Sequence, residues 1–132
     1  MGTTLHWPAL ITLATLLLLF GCAWLVAVAR GRHKVQAPAT TGPEEFERTF
    51  RVQMNTLENA VIFLPALWLA SIYFSPRIAA AIGAVWVVAR IWYAFAYPRN
   101  PSDRGTPFVI ASIAWGALMV LAAWGLLTSP LW

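Results

Sequence analysis

Arg51, Asn55 and Glu58 stand at i, i+4 and i+7, a spacing that puts all three on one face of a helix. Arg48 extends that stripe outward, while Gln53 points elsewhere, toward a different neighbour. Further along, Arg90, Tyr93 and Tyr97 form a second face at i, i+3 and i+7, with Arg104 in the segment beyond. Together these residues offer several cations, one carboxylate, an amide and two phenols. A small ligand with two carboxylates and one ammonium matches that set, carboxylates on arginines and ammonium on Glu58. A ligand thiol held beside an arginine is drawn toward its thiolate, because a nearby cation favours the anion. No side chain of the protein is an obvious nucleophile. Ser-His-Asp arrangements, glycine-rich phosphate loops and metal-ligand spacings are absent from the sequence, and Cys22 sits in an apolar run where it reads as packing. If the protein is an enzyme, the ligand supplies the nucleophile and the protein activates it.

The elements that position these residues follow from composition. The chain has 132 residues, 60% hydrophobic and 11% charged, with eight tryptophans. A soluble domain carries about a quarter of its residues as charges, so a soluble enzyme is excluded, and disorder is excluded by the high hydrophobicity. One cysteine rules out a disulfide scaffold, and two distant histidines, His6 and His33, rule out a zinc cluster. A helix needs roughly 20 apolar residues to cross a bilayer. Four segments meet that need, at about 7–29, 46–74, 77–97 and 107–128. The expected architecture is an all-α integral membrane protein, a four-transmembrane-helix bundle forming one domain over 1–132. Barrel strands, about ten residues long with alternating polarity, do not fit. Ala27-Val28-Ala29 has the form of a cleavage site, but no Lys or Arg precedes the long apolar run, which reads as a span.

The joints are also legible. Residues 38–43 read as an extended linker, and Gly42-Pro43-Glu44-Glu45 as a helix start with carboxylates at the positive dipole end. Ser75-Pro76-Arg77 is a tight turn, and 98–107 is too rich in proline to be helical throughout. Arg30, Arg32, Lys34, Arg48, Arg51, Arg99 and Arg104 fall on one side, with Arg90 in the span below and only Arg77 opposite. The positive-inside rule places the basic side in the cytosol and both termini outside, with Trp7 and Trp132 in an outer aromatic belt. Arginines that hug or enter the membrane point to anionic lipid or a small anionic ligand rather than to nucleic acid.

A second helix running from Pro43 to Phe74 is about 48 Å long, so its first turns protrude and Glu58 lies a turn inside the boundary. Arg90 lies roughly 10 Å below Tyr97, at a depth comparable to Glu58. Two readings stand. A Glu58–Arg90 ion pair either holds the bundle together, or forms the inner wall of a polar pocket whose mouth is lined by Arg51, Asn55, Tyr93, Tyr97 and Arg104.

Thr-Thr-Gly-Pro-Glu-Glu-Phe-Glu-Arg at 40–48, followed by Arg51-Val-Gln53-Met-Asn55-Thr-Leu-Glu58, closely resembles the MAPEG family, the membrane-associated proteins of eicosanoid and glutathione metabolism. The similarity continues through Phe63-Leu64-Pro65 and Arg90-Ile-Trp-Tyr93 to Tyr97 and Arg104. It looks closest to the leukotriene C4 synthase and microsomal glutathione transferase branch. The resemblance implies a homotrimer with glutathione, the co-substrate, bound between subunits and no prosthetic group. It implies that Arg51, Asn55, Glu58, Tyr93, Tyr97 and Arg104 come from one subunit, and Arg30 and Gln53 from its neighbour. Arg104 would hold the glutathione sulfur as thiolate and is the expected catalytic residue. The thiolate would attack a lipophilic electrophile arriving from the membrane lipid, or reduce a lipid hydroperoxide. The chain departs from leukotriene-synthase-like members at Asn59, where they carry tyrosine, and at Gly31, where that synthase has a second arginine. Those departures argue against leukotriene synthesis specifically and leave general glutathione chemistry intact, and the compact chain fits a bacterial member in an inner membrane.

Two other functions compete with a transferase. One is a non-catalytic scaffold of the 5-lipoxygenase-activating type, which has no need of a thiolate-stabilising Arg104. The other is a small transporter or structural bundle; transporters typically break helices at the midplane, and only Pro65 hints at a break.

Overall fold

The computed structural model describes residues 4–130. Four long helices follow one another: α1 His6–His33, α2 Glu44–Tyr73, α3 Pro76–Arg99 and α4 Gly105–Leu127, with a 3-10 turn at Pro101–Arg104 before α4. Each is long and apolar enough to cross a membrane, and the protein is an integral multi-pass membrane protein. Among the described residues there is no β-strand. Trp7 is exposed at the end away from the basic loops; Trp132 lies outside the described residues.

The helix ends follow local chemistry. α1 runs a turn past its apolar segment and stops where Lys34 turns left-handed, φ 56°, while the Val35 N–H donates to the Arg30 carbonyl at 3.0 Å. α2 begins after Pro43 with Glu44, Glu45 and Glu47 in its first turn, favourable against the helix dipole. Ser75 caps α3, its hydroxyl accepting from the Ile78 N–H at 3.3 Å, with Pro76 in the first helical position. The proline-rich joint is more helical than its sequence suggests. Pro98 sits in the last turn of α3, Pro101 opens the 3-10 turn, and Pro107 lies in the first turn of α4. Asn100 alone breaks the path. Prolines at first turns are tolerated because the N–H they lack would have had no partner there.

α2 and α3 form the centre. Both α1 and α4 pack on this pair without touching each other, so they lie on opposite sides of it. Phe63 and Trp86 stack with centroids 3.9 Å apart, and both are fully buried. Gly83 lets three helices close up, since a Cβ there would press on Ile11 and Leu67. Outward-facing Leu13, Leu17, Phe20, Trp24, Val120 and Trp124 present apolar surface, as a bilayer-embedded protein requires.

Candidate functional site

The buried face of α2 runs through Val52, Thr56, Ala60, Phe63 and Leu67, the residues that pack on its neighbours. Arg51 and Glu58 flank this face and are exposed, while Asn55 sits half-buried at its edge. The register decides which polar groups meet. Arg90 of α3 is completely buried, and its Nη2 donates to Asn55 Oδ1 at 2.9 Å and to Thr56 Oγ1 at 2.6 Å. Glu58 instead meets Arg51 at 3.6 Å, both about half exposed. The Glu58–Arg90 ion pair expected from matched depth is therefore not formed. Depth alone does not bring two groups together. Thr56, two residues before Glu58 and about 200° away around the helix, holds the α3-facing position.

This leaves Arg90 without a carboxylate. Its Nε and Nη1 have no acceptor in the protein. A charge within a span costs at least about 2.5 kcal/mol. Part of that is offset by its two hydrogen bonds and by the face of Tyr93, whose ring centroid is 4.2 Å from the guanidinium. Tyr93 stacks on Tyr97 at 5.5 Å, and Arg104 lies over Tyr97 at 5.2 Å. The result is a column of cation, two phenol rings and cation, climbing from the core to the exposed 3-10 turn. Phe108 of α4 backs Tyr93 at 6.4 Å.

Above the column opens a cleft of about 570 Å³, lined by Arg51, Tyr97, Arg48, Glu44, Phe50 and Pro101, among others. Arg48 holds its rim together. Its Nε donates to the Pro98 carbonyl at 3.2 Å and its Nη1 pairs with Glu44 at 3.3 Å, tying α2 to the end of α3.

The structure thus gathers Asn55, Arg90, Tyr93, Tyr97 and Arg104 on one connected set of contacts, with Arg51 and Glu58 beside it. Arg30 and Gln53 are not brought there by the same chain. Arg30 donates to the Ala39 carbonyl at 2.7 Å and lies over Phe46 at 5.3 Å, holding the linker against α1. Gln53 is about 200° around α2 from Arg51. Asn59 turns back on its own helix, its Nδ2 donating to the Asn55 carbonyl at 3.0 Å, and a Cβ at Gly31 would meet nothing.

Two contributors escape a reading of the sequence. Thr56 is a lone hydroxyl on an otherwise apolar face, and Arg48 reads as a solvated extension of the stripe although it clamps a helix end. Cys22 is buried at a separate cleft of about 180 Å³ between α1, α2 and α3, whose rim carries Arg32, His33, Glu45 and Arg99. There Arg32 pairs with Glu45 at 3.6 Å. Among the described residues no group of three or more His, Cys, Asp or Glu is placed to hold a metal ion.

Chemically, the arrangement offers guanidinium groups suited to anionic groups and, at Glu58, a carboxylate suited to an amine. Comparison with known proteins points the same way. The profile of the MAPEG family matches residues 8–124. An uncharacterised protein of Synechocystis sp. is 46% identical over 130 residues, covering 98% of this chain and 92% of its own length. Microsomal glutathione S-transferase 2 of Mus musculus is 41% identical over 118 residues, covering 86% and 80%. Leukotriene C4 synthase of Cavia porcellus is 40% identical over 119 residues, covering 90% and 79%.

Proposed function

Since this chain belongs to the MAPEG family, we propose that it is a membrane-bound glutathione transferase that conjugates lipophilic electrophiles. The observation that carries this reading is the exposed Arg104 guanidinium over the Tyr97 ring, a ring that lines a cleft together with Arg51. Arg51 and Glu58 hold each other in a half-exposed pair, an interaction worth about 0–1 kcal/mol. A ligand that brings its own carboxylate and ammonium replaces that pair at little expense, carboxylate to Arg51 and ammonium to Glu58. Tyr97 lines the cleft beside Arg51, and Tyr93, stacked on Tyr97, and Asn55, joined to it through Arg90, lie deeper on the same set of contacts.

Arg104 then stabilises the sulfur anion as the thiol gives its proton to solvent. The thiolate attacks an electrophilic carbon, a carbon–sulfur bond forms, and the leaving group departs with the bonding pair or, from an epoxide, stays as an alkoxide that takes a proton from water. With a lipid hydroperoxide the thiolate takes the terminal oxygen, and the other oxygen leaves as an alkoxide and is protonated. The resulting sulfenic acid condenses with a second glutathione to give the disulfide and water.

Arg30 and Gln53 lie away from the column of their own chain, which supports a homotrimer in which each subunit lends them to its neighbour's site. The basic end faces the cytosol in this reading, with both termini opposite, in a bacterial inner membrane. The deciding experiment is a glutathione titration of the detergent-solubilised protein by ultraviolet thiolate absorbance near neutral pH. A saturable signal is expected. Calorimetric binding without thiolate would indicate a binding protein, and no binding would end the glutathione reading.

A further inference from the structure

Arg90 is the only fully buried charge among the described residues, and no carboxylate reaches it. Its hydrogen bonds end on the neutral oxygens of Asn55 and Thr56. A guanidinium buried for architecture alone takes a carboxylate where one is near. Glu58 is near along α2, yet pairs with Arg51. The charge of Arg90 is therefore uncompensated within the protein. It lies over Tyr93, which stacks on Tyr97, which carries Arg104. Two cations thus cap opposite ends of one tyrosine pair, one buried and one exposed. In a low-dielectric interior a charge is felt farther than in water, because salt and solvent screen it less.

We propose that Arg90 is a positioning residue for the thiolate. Its charge, held by Asn55 and Thr56 and acting through the tyrosine pair, adds to that of Arg104 in lowering the pKa of the thiol bound at the exposed end. The anion of the ligand is then the countercharge that this buried cation lacks. This rests on the glutathione reading above. The other titratable or charged groups around the column are Cys22 from α1, Arg51 and Glu58 from α2, Tyr93 and Tyr97 from α3, and Arg104 from the 3-10 turn; α4 contains no charged or titratable side chain.

The test is ultraviolet thiolate absorbance against pH for the glutathione-loaded protein in the native chain and in Arg90→Met, Arg90→Gln and Arg90→Lys. Met removes the charge and keeps the bulk, a kind of replacement that buried ionic groups often tolerate. Gln removes the charge and keeps a donor for Asn55 or Thr56. The expected result is a midpoint raised by about one pH unit or more in Met and Gln, so that thiolate near neutral pH falls about tenfold, with most of it restored in Lys. S-hexylglutathione should bind all four chains within about twofold, because its thioether sulfur cannot ionise and its carboxylates and ammonium are met by Arg51 and Glu58, away from Arg90. An unchanged midpoint in Met or Gln overturns the proposal, and so does a matching loss of S-hexylglutathione binding. If neither charge-free variant assembles while Lys does, Arg90 is architectural and the proposal falls. No thiolate in the native chain would instead sink the glutathione reading itself.

Discussion

In the half of the bundle toward the α2–α3 turn, Phe63 lies flat on Trp86, and α4 comes so close that a Cβ at Gly125 would collide with the Tyr73 carbonyl. In the half toward the basic loops, Arg90, Asn55, Thr56 and the tyrosines meet through hydrogen bonds and ring faces, around a charge with donors to spare. The two halves therefore differ in the chemistry of their contacts. Lipid tails are as apolar as leucine, so helices associate through close packing and polar contacts. The first half relies on packing and, among the described residues, buries no charge. The second half carries charges that its own chain does not balance, a state that suits a ligand.

The comparison can be broken or sharpened by substitution. Phe63→Ala should have the largest effect, about 3–5 kcal/mol of lost stability from a cavity in the closed half, read as a lower thermal midpoint in detergent. A small change would mean that the two halves are equally loose. Arg104→Ala should leave assembly and S-hexylglutathione binding nearly intact and lower turnover by about 10²–10³-fold. Conjugation kinetics with a lipophilic electrophile provide the measurement, and unchanged turnover would remove Arg104 from the mechanism. Glu58→Gln should weaken glutathione by about tenfold, the scale of one charge-assisted hydrogen bond, while a deaminated analogue binds as before. Equal weakening of both ligands would make Glu58 structural. Arg51→Lys should lose a smaller factor, about threefold to tenfold by calorimetry, because the charge remains and the fork is lost. The smallest effect separates two glycines. Ala at Gly31, where a Cβ meets nothing, should raise stability by about 0.5–1 kcal/mol, whereas Ala at Gly125 should lower it because backbone stands in the way. The same sign at both positions would contradict the packing described for the two ends.

The four spans were legible because bilayer thickness demands a length of apolar residues that few other structures need. The Ser75-Pro76 turn and the acidic start of α2 were legible because caps are local. The stripes Arg51/Asn55/Glu58 and Arg90/Tyr93/Tyr97 were visible for the same reason, as helical spacing is a property of one segment. The 98–107 joint is interrupted at Asn100 and tightens into a 3-10 turn, as its prolines require, although the segments on either side of Asn100 are helical. Proline count argues against helix in general, while proline at the first turn of each new helix does not.

Which polar group faces which across two helices was not legible. Matched depth suggested Glu58 for Arg90, and the structure chose Asn55 and Thr56. Neither Thr56 nor the Arg48 clamp on the Pro98 carbonyl has a mark in the sequence, because each matters only through a partner dozens of residues away. Hydrophobic length and charge are sums over single residues, so the sequence specifies a four-helix membrane chain with every cation but Arg77 toward one end. That the innermost cation, Arg90, goes without a carboxylate beneath two stacked tyrosines depends on the rotation of α2 against α3, which no single segment specifies.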